Sequence, residues 1–338
     1  MIYLDNAATM RPNAAALAAV ARSVEIFANP SSLHAPGLAA EKEINAARAA
    51  IAAIIGAAPA EIYFTSGGTE SNNLAIFGGA KKHKGRRIVT LKGEHPSISE
   101  PLAKLAARGD FEICYDMENF SNACLATLSH VNSETGEIAD IQAIGKAIKK
   151  QNPGAIFHVD ACQSFCKIPI NVRSAGIDLL TLSAHKIGGI KGCGALFVRQ
   201  GISLAPLILG GGQEGGLRSG TENVPGILAF AAAAKHFWQN STANFAHVAG
   251  LKKRWTAENR PNESPYILSL EVDGIAPHVI LNALSAKGIH VSTGAACSAK
   301  KKQKTGEKAL RISFSPENTP EEIDRALEEF GKCIEKFC

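Results

Sequence analysis

The chain has 338 residues, is 46% apolar and carries a formal charge of +5, which suits a globular protein with one large domain, a smaller one and a sizeable core. Its basic residues are dispersed apart from Lys81-Lys82-His83-Lys84 and Lys300-Lys301-Lys302-Gln303-Lys304, which read as solvated loops, so no direct nucleic-acid partner is expected. No stretch reaches the ~18 uninterrupted apolar residues of a membrane span, and the alanine-rich residues 14–21 lack a basic leader; a cytoplasmic protein without a membrane partner is expected.

Short β-type runs alternate with alanine-rich helical stretches from about residue 14 to 237, the pattern of a wound α/β sheet with helices on both faces. Strands are predicted at 62–64, 88–91, 111–115, 124–131, 155–159, 179–182 and 195–199, enough for a seven-stranded, mostly parallel sheet. Helices are predicted at 37–55, 141–151 and 224–238, where apolar residues recur at helical spacing. The polar run Gln239-Asn240-Ser241-Thr242 and the cluster Arg260-Pro261-Asn262-Glu263-Ser264-Pro265 then mark a boundary. A smaller α+β unit should follow, with strands at 267–272, 290–292 and 310–314 and helices at 277–287 and 320–337. The expected division is a large domain over 13–237 and a small one built from 1–12 and 238–338.

The most informative residues lie at the ends of two predicted strands. Leu179-Leu180-Thr181-Leu182 runs directly into Ser183-Ala184-His185-Lys186, and Ile156-Phe157-His158-Val159 closes on Asp160. A lysine held at a strand end can form a Schiff base with an aldehyde cofactor, while a separate buried carboxylate can keep a pyridine nitrogen protonated. Phe64-Thr65-Ser66-Gly67-Gly68-Thr69-Glu70 leaves a strand, turns on two glycines and enters a helix, which would cradle a phosphate; Thr69 as a plain helix cap reads equally well. His95, in Gly93-Glu94-His95-Pro96-Ser97, is a candidate to stack on a ring or move a proton. Asn132 and Gln163 are either donors to a ring oxygen or satisfied loop residues. The eight cysteines fall at irregular spacings without Cys-x-x-Cys pairs, so neither a disulfide framework nor a metal site is expected.

In this order the segments Asn29-Pro30-Ser31-Ser32-Leu33-His34, Thr65 to Asn73, His158-Val159-Asp160-Ala161-Cys162-Gln163, Ser183 to Lys186, Arg218-Ser219-Gly220-Thr221 and Ser292-Thr293-Gly294-Ala295-Ala296-Cys297 resemble the cysteine desulfurases of aminotransferase class V. The likeness runs from Tyr3-Leu4-Asp5-Asn6-Ala7-Ala8-Thr9 to Ile323-Asp324 and implies a fold-type I transferase dependent on pyridoxal 5'-phosphate. It implies that Lys186 is the Schiff-base lysine, that Asp160 pairs with the pyridine nitrogen and that His95 stacks on the ring. Gln163 and Asn132 would surround the phenolic oxygen, and Gly68, Thr69, Ser183 and His185 would hold the phosphate. Thr221 would reach the phosphate of a neighbouring subunit, which implies a homodimer with shared active sites. Arg311 would clamp the substrate carboxylate, with Asn132 beside it, and Cys297 would accept sulfur from L-cysteine as a persulfide before passing it to an acceptor protein for iron–sulfur assembly or thiolation. A selenocysteine lyase, a class V aminotransferase or β-lyase, and a weakly catalytic scaffold are the competing readings.

Two departures stand out. Gln213-Glu214-Gly215-Gly216 replaces the customary His-Glu-Arg-Gly, so one arginine is absent, and Cys297 lies only 311 − 297 = 14 positions before Arg311. The second implies a short tether for the sulfur-bearing thiol.

Overall fold

The computed structural model describes residues 1–82, 85–256, 261–294 and 309–337. The chain divides into two compact units, Arg11–His130 with Ala139–Gln239, and Met1–Met10 with Val131–Ile138 and Asn240–Cys338. In chain order the strands are β1 (Ile2–Tyr3), β2 (Ile62–Thr65), β3 (Arg87–Thr90), β4 (Glu112–Cys114), β5 (Ala123–Ser129), β6 (Ile156–Asp160), β7 (Leu179–Ser183), β8 (Gly194–Val198), β9 (Ile267–Glu271), β10 (Ile289–His290), β11 (Ser292–Thr293) and β12 (Ala309–Ser313). The helices are α1 (Ala14–Ser23), α2 (Ala35–Ile55), α3 (Gly68–Asn73), α4 (Gly79–Lys82), α5 (Pro96–Ala107), α6 (Ile141–Gln151), α7 (Val224–Gln239), α8 (Ser241–Trp255), α9 (Pro277–Ala286) and α10 (Pro320–Phe337). A π-helical turn, Leu74–Gly78, joins α3 to α4 in one continuous helix.

The larger unit is a seven-stranded sheet in the order β2-β8-β7-β6-β5-β3-β4. Pairings among β3, β4, β5, β6 and β7 are parallel, and β8 runs antiparallel to both of its neighbours. The mostly parallel α/β sheet expected from the sequence is thus present, each predicted strand matched within two residues. Strands β6, β7 and β8 are buried at every position, as strands covered on both faces must be. Each large aliphatic side chain fully buried there contributes about 1.5–3 kcal/mol.

Helix ends follow local chemistry. On α2 the buried Ala40, Ile44, Ala47, Ile51 and Ile55 recur at helical spacing; His34 caps its start by accepting from the Gly37 amide, and Gly56 ends it in the left-handed region at φ 71°. Asp140 caps α6 through the amide of Ala143. Ala16 of α1 and Ala229 and Ala233 of α7 form a small-residue cluster that brings these two helices close.

The smaller unit combines the antiparallel sheet β11-β12-β9, the parallel pair β1-β10 and helices α8, α9 and α10. One expectation is corrected here. The predicted strand at 290–292 is two strands, because the chain changes sheets at Val291: His290 pairs with Tyr3 and Ser292 with Arg311. The polar stretch read as a boundary coincides with the change of unit between Gln239 and Asn240, and it opens α8, an unpredicted helix whose buried apolar residues, Val248 and Leu251, are too few to signal a helix in sequence. Among the described residues no helix is long and apolar enough to cross a membrane.

Candidate active site

Parallel sheets present their sites at the carboxyl ends of the strands, where loops diverge. Here β6 ends on Asp160 and β7 on Ser183, with Asp160 in register with Ser129 of β5 and Thr181 of β7. A single 3-10 turn, Ala184–Lys186, follows Ser183 and delivers His185 and Lys186 next to the strand end. Asp160 is only 7% exposed, yet both carboxylate oxygens are occupied. Oδ1 accepts from the Cys162 amide at 2.8 Å and Oδ2 from Asn72 Nδ2 at 2.7 Å, so its orientation is fixed.

Above β7 lies the start of the continuous helix 68–82. Gly67 adopts φ 148°, a conformation that favours glycine, and a Cβ on Gly68 would stand 2.5 Å from Cys162 Sγ and 3.8 Å from Ser183 Cβ. The sequence motif therefore puts bare backbone against the end of β7. The first turn carries Thr69, with Glu70 Oε2 accepting from the Ser66 amide at 3.0 Å and Oε1 from Arg218 Nε at 2.9 Å. Among the described residues Ser183 Oγ and His185 Nδ1 are buried without a hydrogen-bond partner. Burial first, then the charges of Lys186, Lys191 and Lys167, push His185 down to about 4, so its imidazole is neutral. Two unpartnered polar atoms beside a helix start, facing no side chain at Gly68, suit a phosphate group.

His95 caps α5 with Nδ1, which accepts from the Ser97 amide at 3.1 Å and lies 2.8 Å from Ser97 Oγ. Next to it, Glu94 accepts from the Ser129 amide at 2.9 Å and from Ser129 Oγ at 2.5 Å. Burial is the main cause that raises Glu94 to about 7, with the charge of Asp160 adding to it against the Ser129 bonds. On β6, His158 bridges Thr127 of β5 and Thr181 of β7 at 2.7 and 3.0 Å, and burial pushes it down to about 4. Burial, then the neighbouring charge of Lys186, lowers Lys167 to about 7. Burial, then Asp160, raises the Cys162 thiol well above its ordinary range, which keeps it neutral. Gln163 is buried three residues beyond Asp160, and Thr221 is exposed on the segment after Arg218.

Of the remaining sequence candidates, Asn132 and Arg311 belong to the smaller unit. Asn132 Oδ1 accepts from the amides of Glu134 at 2.8 Å and Thr135 at 3.0 Å, which makes it the head of a turn. Arg311, 2% exposed on β12, donates from Nη2 to Asp5 Oδ1 at 2.9 Å and from Nη1 to the Ser133 carbonyl at 2.8 Å. Its Nε is buried without a partner among the described residues. Cys297 and the Lys300 to Lys304 run lie outside the described residues.

The residues of the larger unit fit pyridoxal phosphate: an oriented buried carboxylate at Asp160, an adjacent strand-end lysine, and orphaned donors at Ser183 and His185 beside a glycine turn. Sequence reasoning missed Asn72, Ser97 and Glu94. Asn72 and Ser97 lay inside quoted motifs, but nothing in their spacing foretold that they would meet across helices α3 and α5.

Comparison with known proteins agrees with that fit. Residues 2–326 match the family described as Aminotransferase class-V. A cysteine desulfurase of Gluconacetobacter diazotrophicus is 35% identical over 377 residues, covering 99% of this chain and 94% of that protein. A solved NifS-like protein is similar with a TM-score of 0.92 and 31% identity, over 99% of both chains. The solved structure of SspA in complex with cysteine is similar with a TM-score of 0.81 and 31% identity, over 94% of this chain and all (100%) of that one.

Proposed function

The chain belongs to the class-V aminotransferase family, and from that premise we propose that it is a cysteine desulfurase, dependent on pyridoxal phosphate, that converts L-cysteine to L-alanine and retains the sulfur as a persulfide on Cys297. The observation that carries this reading is the placement of Asp160 and Lys186 just at the ends of the neighbouring strands β6 and β7, in a chain matched nearly end to end by cysteine desulfurases.

When bound, pyridoxal phosphate supplies an electron sink for the carbon that loses its proton. Asp160, oriented by Asn72 and the Cys162 amide, would hold a proton on the pyridine nitrogen, and His95 would lie along the ring. Gly68, Thr69, Ser183 and His185 would take the phosphate, while Gln163 and Asn132 would donate toward the phenolic oxygen. Lys186 Nζ would remove the α proton, and Arg311 would hold the substrate carboxylate through its planar fork of donors. The Cys297 thiolate would then form an S–S bond with the substrate sulfur as the C–S bond breaks. The departing Cβ would receive a proton, with His95 as the assigned donor, Lys186 would return a proton to Cα, and L-alanine would leave.

A homodimer sharing its sites is the proposed working form, with Thr221 reaching the partner's phosphate. Two stretches of the larger unit support it by exposing large apolar residues, Val24 at 70%, Phe27 at 86% and Leu33 at 91% in one and Leu209 at 79% in the other. The sulfur would pass in the cytoplasm to an acceptor protein of an iron–sulfur assembly or thiolation pathway. Incubation of the holoenzyme with L-cysteine tests the reading: stoichiometric L-alanine and a 32-dalton-class sulfur adduct, of about one sulfur atom, on the Cys297 peptide are expected, and pyruvate or an unmodified peptide would reject it.

A further inference from the structure

Asn72 and Ser97 connect Asp160 to His95, and the direction of every hydrogen bond along the way is settled by chemistry. Asn72 is fully buried, and its Nδ2 lies 2.7 Å from Asp160 Oδ2 and 2.7 Å from Ser97 Oγ. The reversed amide would set its oxygen against the Asp160 carboxylate, so the nitrogen must face both acceptors, leaving Asn72 Oδ1 as the buried atom without a partner. Both amide hydrogens are then committed. Ser97 Oγ receives one of them, which leaves its own single hydrogen for His95 Nδ1 at 2.8 Å. The Ser97 amide donates to the same nitrogen at 3.1 Å. Two donors on Nδ1 exclude a proton there in the neutral ring, so the proton of the imidazole resides on Nε2.

We infer that Asn72 and Ser97 are positioning residues, a one-way relay from Asp160 that locks neutral His95 in the Nε2–H form and so aims a donor, not an acceptor, away from helix α5. The role given to that donor rests on the desulfurase reading; the tautomer does not. The relay also makes the Asp160 carboxylate and the His95 imidazole answer to one another. Any movement of Asp160 Oδ2 away from Asn72 frees the amide, and with it the hydrogen bond that commits the Ser97 hydroxyl.

The test is the tautomer of His95 in the holoenzyme, read from the imidazole nitrogen resonances of isotope-labelled protein and assigned by difference with His95→Gln. At a pH where the ring is neutral, the wild type should show an unprotonated Nδ1 and a protonated Nε2. Ser97→Ala keeps the backbone donor but loses the hydroxyl, so the Nδ1–H population should rise severalfold, and Ser97→Thr should restore the wild-type pattern. Alanine release by Ser97→Ala should fall about fivefold to tenfold in kcat, with KM for L-cysteine changed less than about twofold. A predominantly Nδ1–H ring in the wild type overturns the inference without recourse to any variant. So does a Ser97→Ala ring identical to the wild type. An Nε2–H ring in a protein that releases no alanine would uphold the relay and reject the desulfurase reading instead.

Discussion

Glu214 and Arg48 form a two-point ion pair, with Arg48 Nη1 and Nη2 each 2.8 Å from a different carboxylate oxygen. Glu214 Oε2 also accepts from the Phe64 amide at 2.8 Å, so one buried carboxylate ties α2 to the strand that leads into the Gly67-Gly68 turn. The backbone accepts an unusual conformation to place it there: Glu214, Gly215 and Gly216 have φ values of 50°, 61° and 81°. Glycine at 215 suits that left-handed path.

Removing the carboxylate should therefore cost far more than an ordinary surface substitution. Glu214→Ala leaves the Arg48 guanidinium half-buried beside Phe64 and an unpaired amide, a loss of about 3–5 kcal/mol. Glu214→Gln, which keeps an acceptor for the amide, should lose less. Urea unfolding of both variants checks the order, and equal stabilities for Glu214→Ala and the wild type would show the pair to be ornamental.

Lys186 supplies the second prediction. Protein purified with pyridoxal phosphate should be yellow, with a visible absorption band, and Lys186→Ala should lose alanine release by at least about 10³-fold, because covalent attachment and proton removal disappear together. Its thermal unfolding should stay close to that of the wild type, since Lys186 lies outside the core. A colourless wild type that cannot be reconstituted would remove the cofactor from the assignment.

Much of this architecture is legible in the chain because it is dictated locally. Continuous apolar runs such as Leu179 to Leu182 announce buried parallel strands, and strand-end residues such as Asp160 and Lys186 announce a site once the strands are placed. The Asn72 to Ser97 contact is different in kind. It joins residues 25 positions apart through side chains whose type has many other uses, so only packing of α3 against α5 reveals it. The same holds for Arg311, whose pairing with Asp5 spans 306 positions, and for α8, whose mostly exposed surface hides its helical period.

Acidification should destabilise the protein between about pH 6.5 and 4. His130, His158 and His185 are each lowered from 6.5 to about 4, chiefly by burial, so the unfolded chain binds protons in that window that the folded one does not. Stability contributed by these groups is complete above 6.5 and is lost as pH falls through 4. Glu94, raised from 4.5 to about 7, acts in the opposite sense, holding a proton in the folded state that the unfolded chain has released. Three against one leaves a net uptake of roughly two protons on unfolding near pH 5.5, a slope of roughly 2–3 kcal/mol per pH unit. Urea midpoints measured at pH 6.5 and 5.5 read it directly. Glu94→Gln should stabilise the protein relative to the wild type by about 1–3 kcal/mol more at pH 8 than at pH 4.5, and no pH dependence in that difference would mean the carboxyl is ordinary.

Association can be tested on the apolar surface alone. Phe27 and Leu209 are exposed at 86% and 79% in segments remote in sequence. Light scattering should give a dimer for the wild type and a monomer for Phe27→Glu combined with Leu209→Glu, because each buried glutamate at such a contact is strongly unfavourable. If the double variant remains dimeric with full activity, these residues do not form the subunit contact; an active but monomeric wild type would instead remove the cross-subunit role of Thr221.

The last prediction separates ring chemistry from sulfur capture. Cys297→Ala should still bind L-cysteine and perturb the visible spectrum of the holoenzyme, because the thiol is required only after the α proton has been removed. Persulfide on the protein should disappear, and sulfur transfer should fall sharply. Three other cysteines are poorly suited to take over: Cys166 and Cys193 are buried and Cys162 is half-buried, and burial raises their thiols, well above the ordinary range for Cys162 and Cys166 and to about 12 for Cys193. A labelled-sulfur assay with mass mapping of each cysteine peptide decides the matter. Label on Cys162 in the Cys297→Ala variant would show that a thiol at the end of β6 competes for the sulfur, and alanine production at the wild-type rate would make Cys297 a bystander.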